Sequence, residues 1–176
     1  MSEKIKLNIA ILTISDTRTL DSDKSGDMLY KLIDESCHSI IERSIVKDNI
    51  YSIRNIISKW IDSKDIDVIV STGGTGVTGR DGTPEAVNVL LDKKIDGFGE
   101  IFRYLSYKKI KTSTIQSRAI AGVANSTYIF CLPGSPSACR DGWDQILIHQ
   151  LDIRHKPCNF VEIMPRLREA VDQRRV

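Results

Sequence analysis

Two hydrophobic periods alternate along the chain. Leu7 to Ser15 (LNIAILTIS) is nearly all apolar and rich in isoleucine, the continuous run expected of a strand buried on both faces of a sheet. A polar stretch with Asp16, Arg18, Asp21 and Asp23 follows, and Ser25-Gly26 then opens a helix whose Met28, Leu29, Leu32 and Ile33 recur at helical spacing. Ser39 to Val46 alternates weakly, as a second strand would. Ile50, Ile53, Ile56, Ile57, Trp60 and Ile61 repeat at three and four, a strongly amphipathic helix entered through Asp48 and Asn49, either of which fits its N-cap. Asp67 to Thr72 is another short apolar strand.

The same alternation continues in the second half. Thr83 fits an N-cap, Pro84 the first helical position and Glu85 the first turn of a helix reaching about Leu91. In GFGEIFRYLSYKKI, the residues Ile101, Phe102, Tyr104 and Leu105 are expected on one helical face. Thr127 to Leu132 (TYIFCL) is a buried strand that runs into Pro133 to Ala138, where Ser135 can cap and Pro136 can start a helix reaching about Ile148. Strand, helix, strand in repeated order predicts a three-layer α/β/α domain with a mostly parallel central sheet and right-handed crossovers. Its ligand is expected at the carboxyl ends of the strands. No linker, repeat or low-complexity segment divides the chain, so residues 1–176 read as a single domain with a C-terminal extension from about 160 to 176.

Composition narrows the setting. No run of 18 apolar residues and no apolar N-terminal signal region occurs, so one cytoplasmic domain with no membrane partner is expected. The formal charge of +2 gives weak general attraction to nucleic acid, and none is expected as a partner. Arg166, Arg168, Arg174 and Arg175 make the chain end locally basic, which reads as a solvated tail. Cys37, Cys131, Cys139 and Cys158 form no CxxC pair, as suits a reducing compartment. His149, His155 and Cys158 lack regular zinc spacing. These groups read as structural thiols and surface histidines.

Candidate chemistry gathers between Ser71 and Gly82, where five glycines separate a strand from a helix start. Glycines let backbone amides face a ligand, and the positive end of the helix dipole adds to them, so the expected ligand is anionic, most simply a phosphate. Gly74, Gly76 and Gly79 satisfy GxGxxG. In the dinucleotide fold, however, the third glycine already lies on the helix, whereas Gly82 and Pro84 postpone it here, and no acidic residue closes a second strand about twenty residues on. A nicotinamide-binding Rossmann enzyme is the lesser alternative. No GKS or GKT follows the glycines, which excludes a Walker loop. No Ser/His/Asp or Cys/His arrangement suggests covalent catalysis.

TGGTG (Thr72 to Gly76), Arg80-Asp81 and Thr83-Pro84-Glu85-Ala86 together resemble the signature of the molybdopterin-binding domain family of molybdenum cofactor biosynthesis proteins, the MoaB/MogA family. The resemblance covers nearly the whole chain. It includes Ser15-Asp16, Asp23 to Gly26, Ser117-Arg118-Ala119 with Ala121-Gly122, and LPGSP at 132–136, while LDIRHKPCNF at 151–160 favours the MoaB branch over MogA. It implies molybdopterin as ligand and, in active members, transfer of AMP from ATP to its terminal phosphate with Mg²⁺. It also implies a homo-oligomer, trimer-based and up to a hexamer.

On this resemblance Asp81 and Asp48 are the candidate catalytic and metal-binding residues. Thr72, Gly73, Gly74, Thr75, Gly76, Arg80, Ser15, Asp16, Ser117, Pro133, Gly134 and Ser135 are the candidate substrate-binding residues. Plainer roles compete: Asp81 as a turn residue holding the Gly82 or Thr83 amide, Asp48 as a helix cap, Arg80 in a surface ion pair. Three positions depart from the family pattern. Ser137 stands where many members carry Lys, Asn49 where a second acid is frequent, and Gly82 where an apolar residue is usual, which should loosen the backbone. A charged donor to phosphate contributes about 1.5–3 kcal/mol, so the missing Lys matters unless Arg140, one turn on, substitutes. These departures keep a non-catalytic pterin-binding or scaffold protein as the alternative to an adenylyltransferase.

Overall fold

The computed structural model describes residues 4–167 and Glu169. Arg168, Arg174 and Arg175 of the basic chain end lie outside the described residues. Along the chain run β1 (Asn8–Ile14), α1 (Lys24–Asp34), β2 (Ser39–Val46), α2 (Ile50–Asp62), β3 (Val68–Thr72), α3 (Thr83–Asn88), β4 (Lys93–Lys94), α4 (Asp96–Ile110), β5 (Ile120–Ala124), β6 (Thr127–Leu132), α5 (Pro136–Gly142), α6 (Ile148–Gln150) and α7 (Phe160–Leu167). A π-helical turn, Trp143–Leu147, joins α5 to α6. No described helix is long and apolar enough to cross a membrane.

The six strands form one sheet in the order β2-β1-β3-β6-β5-β4. β2, β1, β3 and β6 pair in parallel, and β5 runs antiparallel to both β6 and β4. Each central strand divides its side chains between two cores. Ile9, Ile11, Val68, Val70, Tyr128, Phe130 and Leu132 face one side with Leu29, Ile33, Phe98, Phe102, Trp143 and Val161. Ala10, Leu12, Ile14, Ile69, Ile129 and Cys131 face the other with Ile53, Ile57, Trp60, Ala86 and Val87. Strict alternation with apolar residues at both parities is what a strand covered on both faces requires. The expected three-layer domain is what these residues build.

The chain leaves β1 through α1 on one face and returns from β2 through α2 on the other. Loops after β1 and β3 therefore part in opposite directions, and a crevice opens between them at the carboxyl ends of the strands. Because β5 is antiparallel, the residues just before it, Ser117 and Arg118, come to this same end.

Several local readings need correction. Thr83 is the first residue of α3, with Gly82 in the cap position, and α3 stops at Asn88. The buried stripe of α4 is Phe98, Phe102 and Ser106, while Ile101 and Tyr104 are exposed. The short β4 and the small-residue β5 carry no apolar periodicity that announces a strand. His149 is exposed, His155 half-buried and Cys158 exposed, and the three form no metal-holding group among the described residues. Cys131 and Cys139 are buried in the cores.

Candidate functional site

The loop after β3 is shaped by its first two glycines. Gly73 and Gly74 have φ of +105° and +63°, a region that glycine enters without steric cost. A Cβ on Gly73 would lie 2.1 Å from the Ile14 carbonyl oxygen, and one on Gly74 would lie 2.3 Å from Thr83 Oγ1. The loop can thus cross directly over the end of β1. Thr83 Oγ1 donates to the Gly73 carbonyl at 2.9 Å, so this hydroxyl ties the loop down and does not cap α3. The helix-start amides are also engaged: Gly82 N donates to Asp48 Oδ1 at 3.0 Å and Thr83 N to the Gly74 carbonyl at 3.0 Å. The amides of Gly82 and Thr83 are therefore not free, and Pro84 has none to offer. Those of Gly74 and Thr75, one turn of loop earlier, take no partner among the described residues.

The second loop closes against the first. Thr72 Oγ1 donates to the Pro133 carbonyl at 3.0 Å, and Gly73 N to the Leu132 carbonyl at 3.0 Å. Ser135 caps α5 as expected, accepting from Ala138 N at 3.2 Å. The loop after β1 joins through Arg18, which donates to Ser25 Oγ at 2.7 Å and to the Gly134 carbonyl at 3.4 Å. Beneath it Asp23 is fully buried, accepting from Thr13 Oγ1 at 2.7 Å, Gly26 N at 2.9 Å and Arg43 Nη2 at 3.1 Å. Burial alone would raise its pKa, yet the donors outweigh that effect and hold it below the usual carboxylate range.

Two carboxylates converge on the glycines, Asp48 from a separate segment and Asp81 from the loop itself. Asp48 precedes α2 but leaves the capping to Asn49, whose Oδ1 accepts from Tyr51 N and Ser52 N. Its Oδ2 lies 2.7 Å from where a Gly74 Cβ would be. Burial, with Asp81 and Asp16 nearby, raises the Asp48 pKa despite the Gly82 amide. Asp81 Oδ2 accepts from Thr78 N at 2.8 Å and Thr78 Oγ1 at 2.6 Å and packs on Gly76. These donors hold its pKa down against a partial burial that acts to raise it. Asp81 is therefore a turn residue, through Thr78 and not through Gly82 or Thr83, as well as a charge on the cleft. Gly82 N is held by Asp48, and its carbonyl accepts from Ala86 N.

Arg118 locks this arrangement. Its Nε donates to the Gly76 carbonyl at 2.6 Å, Nη2 to the Asp81 carbonyl at 2.6 Å, and Nη1 pairs with Glu85. Sequence chemistry gave no reason to single it out; only the resemblance did. Arg80 pairs with Asp16 at 2.5 Å and is 71% exposed, the surface pair that competed with a phosphate role.

All fourteen candidate site residues line one cleft of about 650 Å³. Ser15, Asp16, Thr72 to Gly76, Arg80, Asp81, Asp48, Ser117 and Pro133 to Ser135 form its glycine-rich half. The opposite wall was not foreseen. It is α4, through Phe102, Ser106, Lys109 and Ile110, with Ser137 and Asp141 of α5 beside them. Ser117 Oγ is buried without a hydrogen-bond partner among the described residues. Arg140 does not replace the charge missing at Ser137: it turns to Met28 Sδ at 3.3 Å and towards Asp144. The helical spacing of Phe102, Ser106 and Lys109 was the available signal for the missed wall.

No group of three or more His, Cys, Asp or Glu side chains among the described residues could hold a metal by itself. Mg²⁺ bound with a phosphate substrate needs less, one or two carboxylates with phosphate oxygens and water. Asp48 and Asp81 fit that smaller demand, since their charges crowd one glycine loop and the free Oδ2 of Asp48 faces it.

A doubly wound α/β domain whose two strand-end loops close on an acid-bearing, glycine-lined cleft carries its candidate ligand site at the carboxyl ends of the strands. The chain belongs to the family described as "Probable molybdopterin binding domain", which matches residues 10–153. It is 50% identical over 159 residues to molybdenum cofactor biosynthesis protein B of Escherichia coli (strain K12), covering 90% of this chain and 94% of that one. A crystal structure of a molybdenum cofactor biosynthesis protein B superposes with a TM-score of 0.83 at 42% identity, covering 85% of this chain and 94% of the other. A MogA structure gives 0.73 at 28%, over 82% and 97%. The higher identities agree with the MoaB branch expected from residues 151–160.

Proposed function

We propose that the cleft binds molybdopterin and that the chain transfers AMP from ATP to the pterin's terminal phosphate. The observation that carries this reading is the meeting of Asp48 and Asp81, from segments 33 residues apart, on Gly74 and Gly76 of one loop. An oxygen of the terminal phosphate attacks the α-phosphorus of ATP, the new P–O bond forms, and the bond to pyrophosphate breaks. Such a transfer asks the protein for positioning and charge neutralisation more than for covalent chemistry. The unpartnered Gly74 and Thr75 amides and the Ser117 hydroxyl are donors to phosphate oxygens. Thr72, Gly73 and Pro133 to Ser135 shape the seat, and Arg118 keeps the loop from opening. Bound Mg²⁺, held by Asp48 and Asp81, would neutralise phosphate charge.

Incubating the purified protein with molybdopterin, ATP and Mg²⁺ tests this reading, with adenylylated pterin and pyrophosphate as the expected products. Asp81→Asn keeps the two Thr78 bonds in reach and is expected to preserve fold and pterin binding while lowering turnover by roughly a hundredfold or more. Ser137 and the outward turn of Arg140 favour a second reading, a pterin-binding protein without turnover. Binding with no product from the wild-type chain would select it.

The reading assigns the activity to the cytoplasm, a setting that suits four free cysteines. It also assigns a homo-oligomer, trimer-based and up to a hexamer. Ile101, Tyr104 and Tyr107 form an exposed apolar stripe along α4 that supports self-association. Sedimentation equilibrium should give a multiple of three chains; a monomer removes this part of the proposal.

A further inference from the structure

Among the described residues, the cleft lining carries three cationic side chains, and each has an acidic neighbour. Arg18 is bound to Ser25, the Gly134 carbonyl and the neighbourhood of buried Asp23, while Arg80 is held by Asp16. The third, Lys109, comes from the α4 wall. Its ammonium meets Asp141 of α5; the Lys109 side chain is 57% exposed and that of Asp141 13%. Ser137 and Asp141, one helical turn apart, both line the cleft, so the face of α5 towards the ligand space carries a hydroxyl and an acid but no cation.

We propose that Lys109 is an anion-binding residue of this cleft, supplying from α4 the positive charge that α5 lacks, and that the group it takes is a polyphosphate or phosphate ester. The proposal rests on the cleft being the ligand site. An ammonium has three donors; Asp141 accepts one and anchors the stem to the wall, which leaves donors for a phosphate without dismantling the pair. The need for such a charge is local. Asp16, Asp48, Asp81 and Asp141 outnumber Arg18, Arg80 and Lys109 along the lining, so an anion entering without Lys109 meets a surplus of carboxylate. The face of α4 that presents Lys109 also presents Phe102 and Ser106, at helical spacing, so the ammonium stands at the rim of a partly apolar wall where an ion interaction is screened less than on open surface.

Calorimetric titration with tripolyphosphate and, separately, with ATP and Mg²⁺ tests it on the intact chain. Lys109→Met should weaken both ligands about ten- to a hundredfold with little change in melting temperature. Lys109→Arg should keep most of the affinity, and Lys109→Met combined with Ser137→Lys should recover much of the loss by returning a cation to the same wall. The proposal is overturned if Lys109→Met binds as wild type, which would leave Lys109 an ordinary surface pair. It is also overturned if wild type binds neither probe, or if neither restoring change improves on Lys109→Met. Polyphosphate binding through Lys109 with no adenylylated product would leave this assignment standing while removing adenylyl transfer.

Discussion

Asp48 and Asn49 are adjacent, both suited to cap a helix, and the fold gives them different tasks. The sequence offered no means of choosing, because the two residue types cap about equally well. A contact 34 residues away, the Gly82 amide on Asp48 Oδ1, makes the choice. Its sign predicts behaviour: the folded pKa of Asp48 lies above its unfolded value, so the ionised form is less comfortable in the folded chain. The stabilising contribution of the neutral form is present at acid pH and is lost as pH rises through the folded value. Asp48→Asn, which retains an oxygen for Gly82, should therefore melt at the same or higher temperature than wild type at pH 7 while losing the proposed adenylyl transfer. A clear drop in melting temperature by calorimetry would count against the role given to this carboxylate. Arg118 and Lys109 show the same limit of legibility. Each was plainly a cation in the sequence, but its use depends on partners at Gly76, Asp81 and Glu85, or at Asp141, that lie 32 or more residues away.

Among elements, those with two buried faces or a clear amphipathic stripe were legible: β1, β3 and β6 through continuous apolar runs, α1 and α2 through their three-and-four repeats. β5 was not, because Ala121, Gly122 and Ala124 are small. A Cβ on Gly122 would meet Leu91 at 2.5 Å and the Lys93 carbonyl at 2.6 Å, so closeness to its neighbours sets the residue choice and leaves no apolar signal. The face of α4 was not legible, because Ile101 and Tyr104 are apolar yet outward. The glycine loop was legible as part of the candidate site, and it does line the cleft, but which amides stay free depended on the tertiary bonds that occupy those of Gly82 and Thr83. Gly74→Ala tests the loop as an element. Left-handed backbone and a clash with Thr83 Oγ1 should destabilise the chain by about 1–3 kcal/mol in urea unfolding and weaken molybdopterin binding further than stability alone explains. Unchanged stability and binding would mean that the loop tolerates another path.

For the whole molecule, the pole opposite the cleft is marked by His38, which links the residue before β1 to the π-helical turn packed on one face of the sheet. It is buried, accepts from Leu7 N through Nδ1 at 3.3 Å and meets Trp143 edge-on. Burial is the main cause that lowers its pKa below 6.5; Lys4 lowers it further, while Asp152 and Asp67 act the other way. The unfolded chain takes a proton near pH 6.5 that the folded chain refuses, so stability is full above that value. It should decline by at most about 1.4 kcal/mol per pH unit as pH falls below it, until the folded value is reached. Urea midpoints collected from pH 7.5 to 5 should show this slope in wild type and a flatter one in His38→Gln. Equal slopes would assign the acid sensitivity elsewhere.

The strand order has a further consequence for how the molecule comes into being. β3 lies in the middle of the sheet, with all five of its residues buried, yet its neighbour on one side is β6, whose register pairs Thr72 with Leu132. A ribosome adding 5–20 residues per second needs roughly 3–12 s to cover that interval. During that time the nascent chain can assemble β2, β1 and β3 but presents β3 as an open, apolar edge. Native proteins avoid such edges because they pair with other chains. The cleft, which needs both β3 and β6, therefore forms only after the most aggregation-prone stage of synthesis has passed.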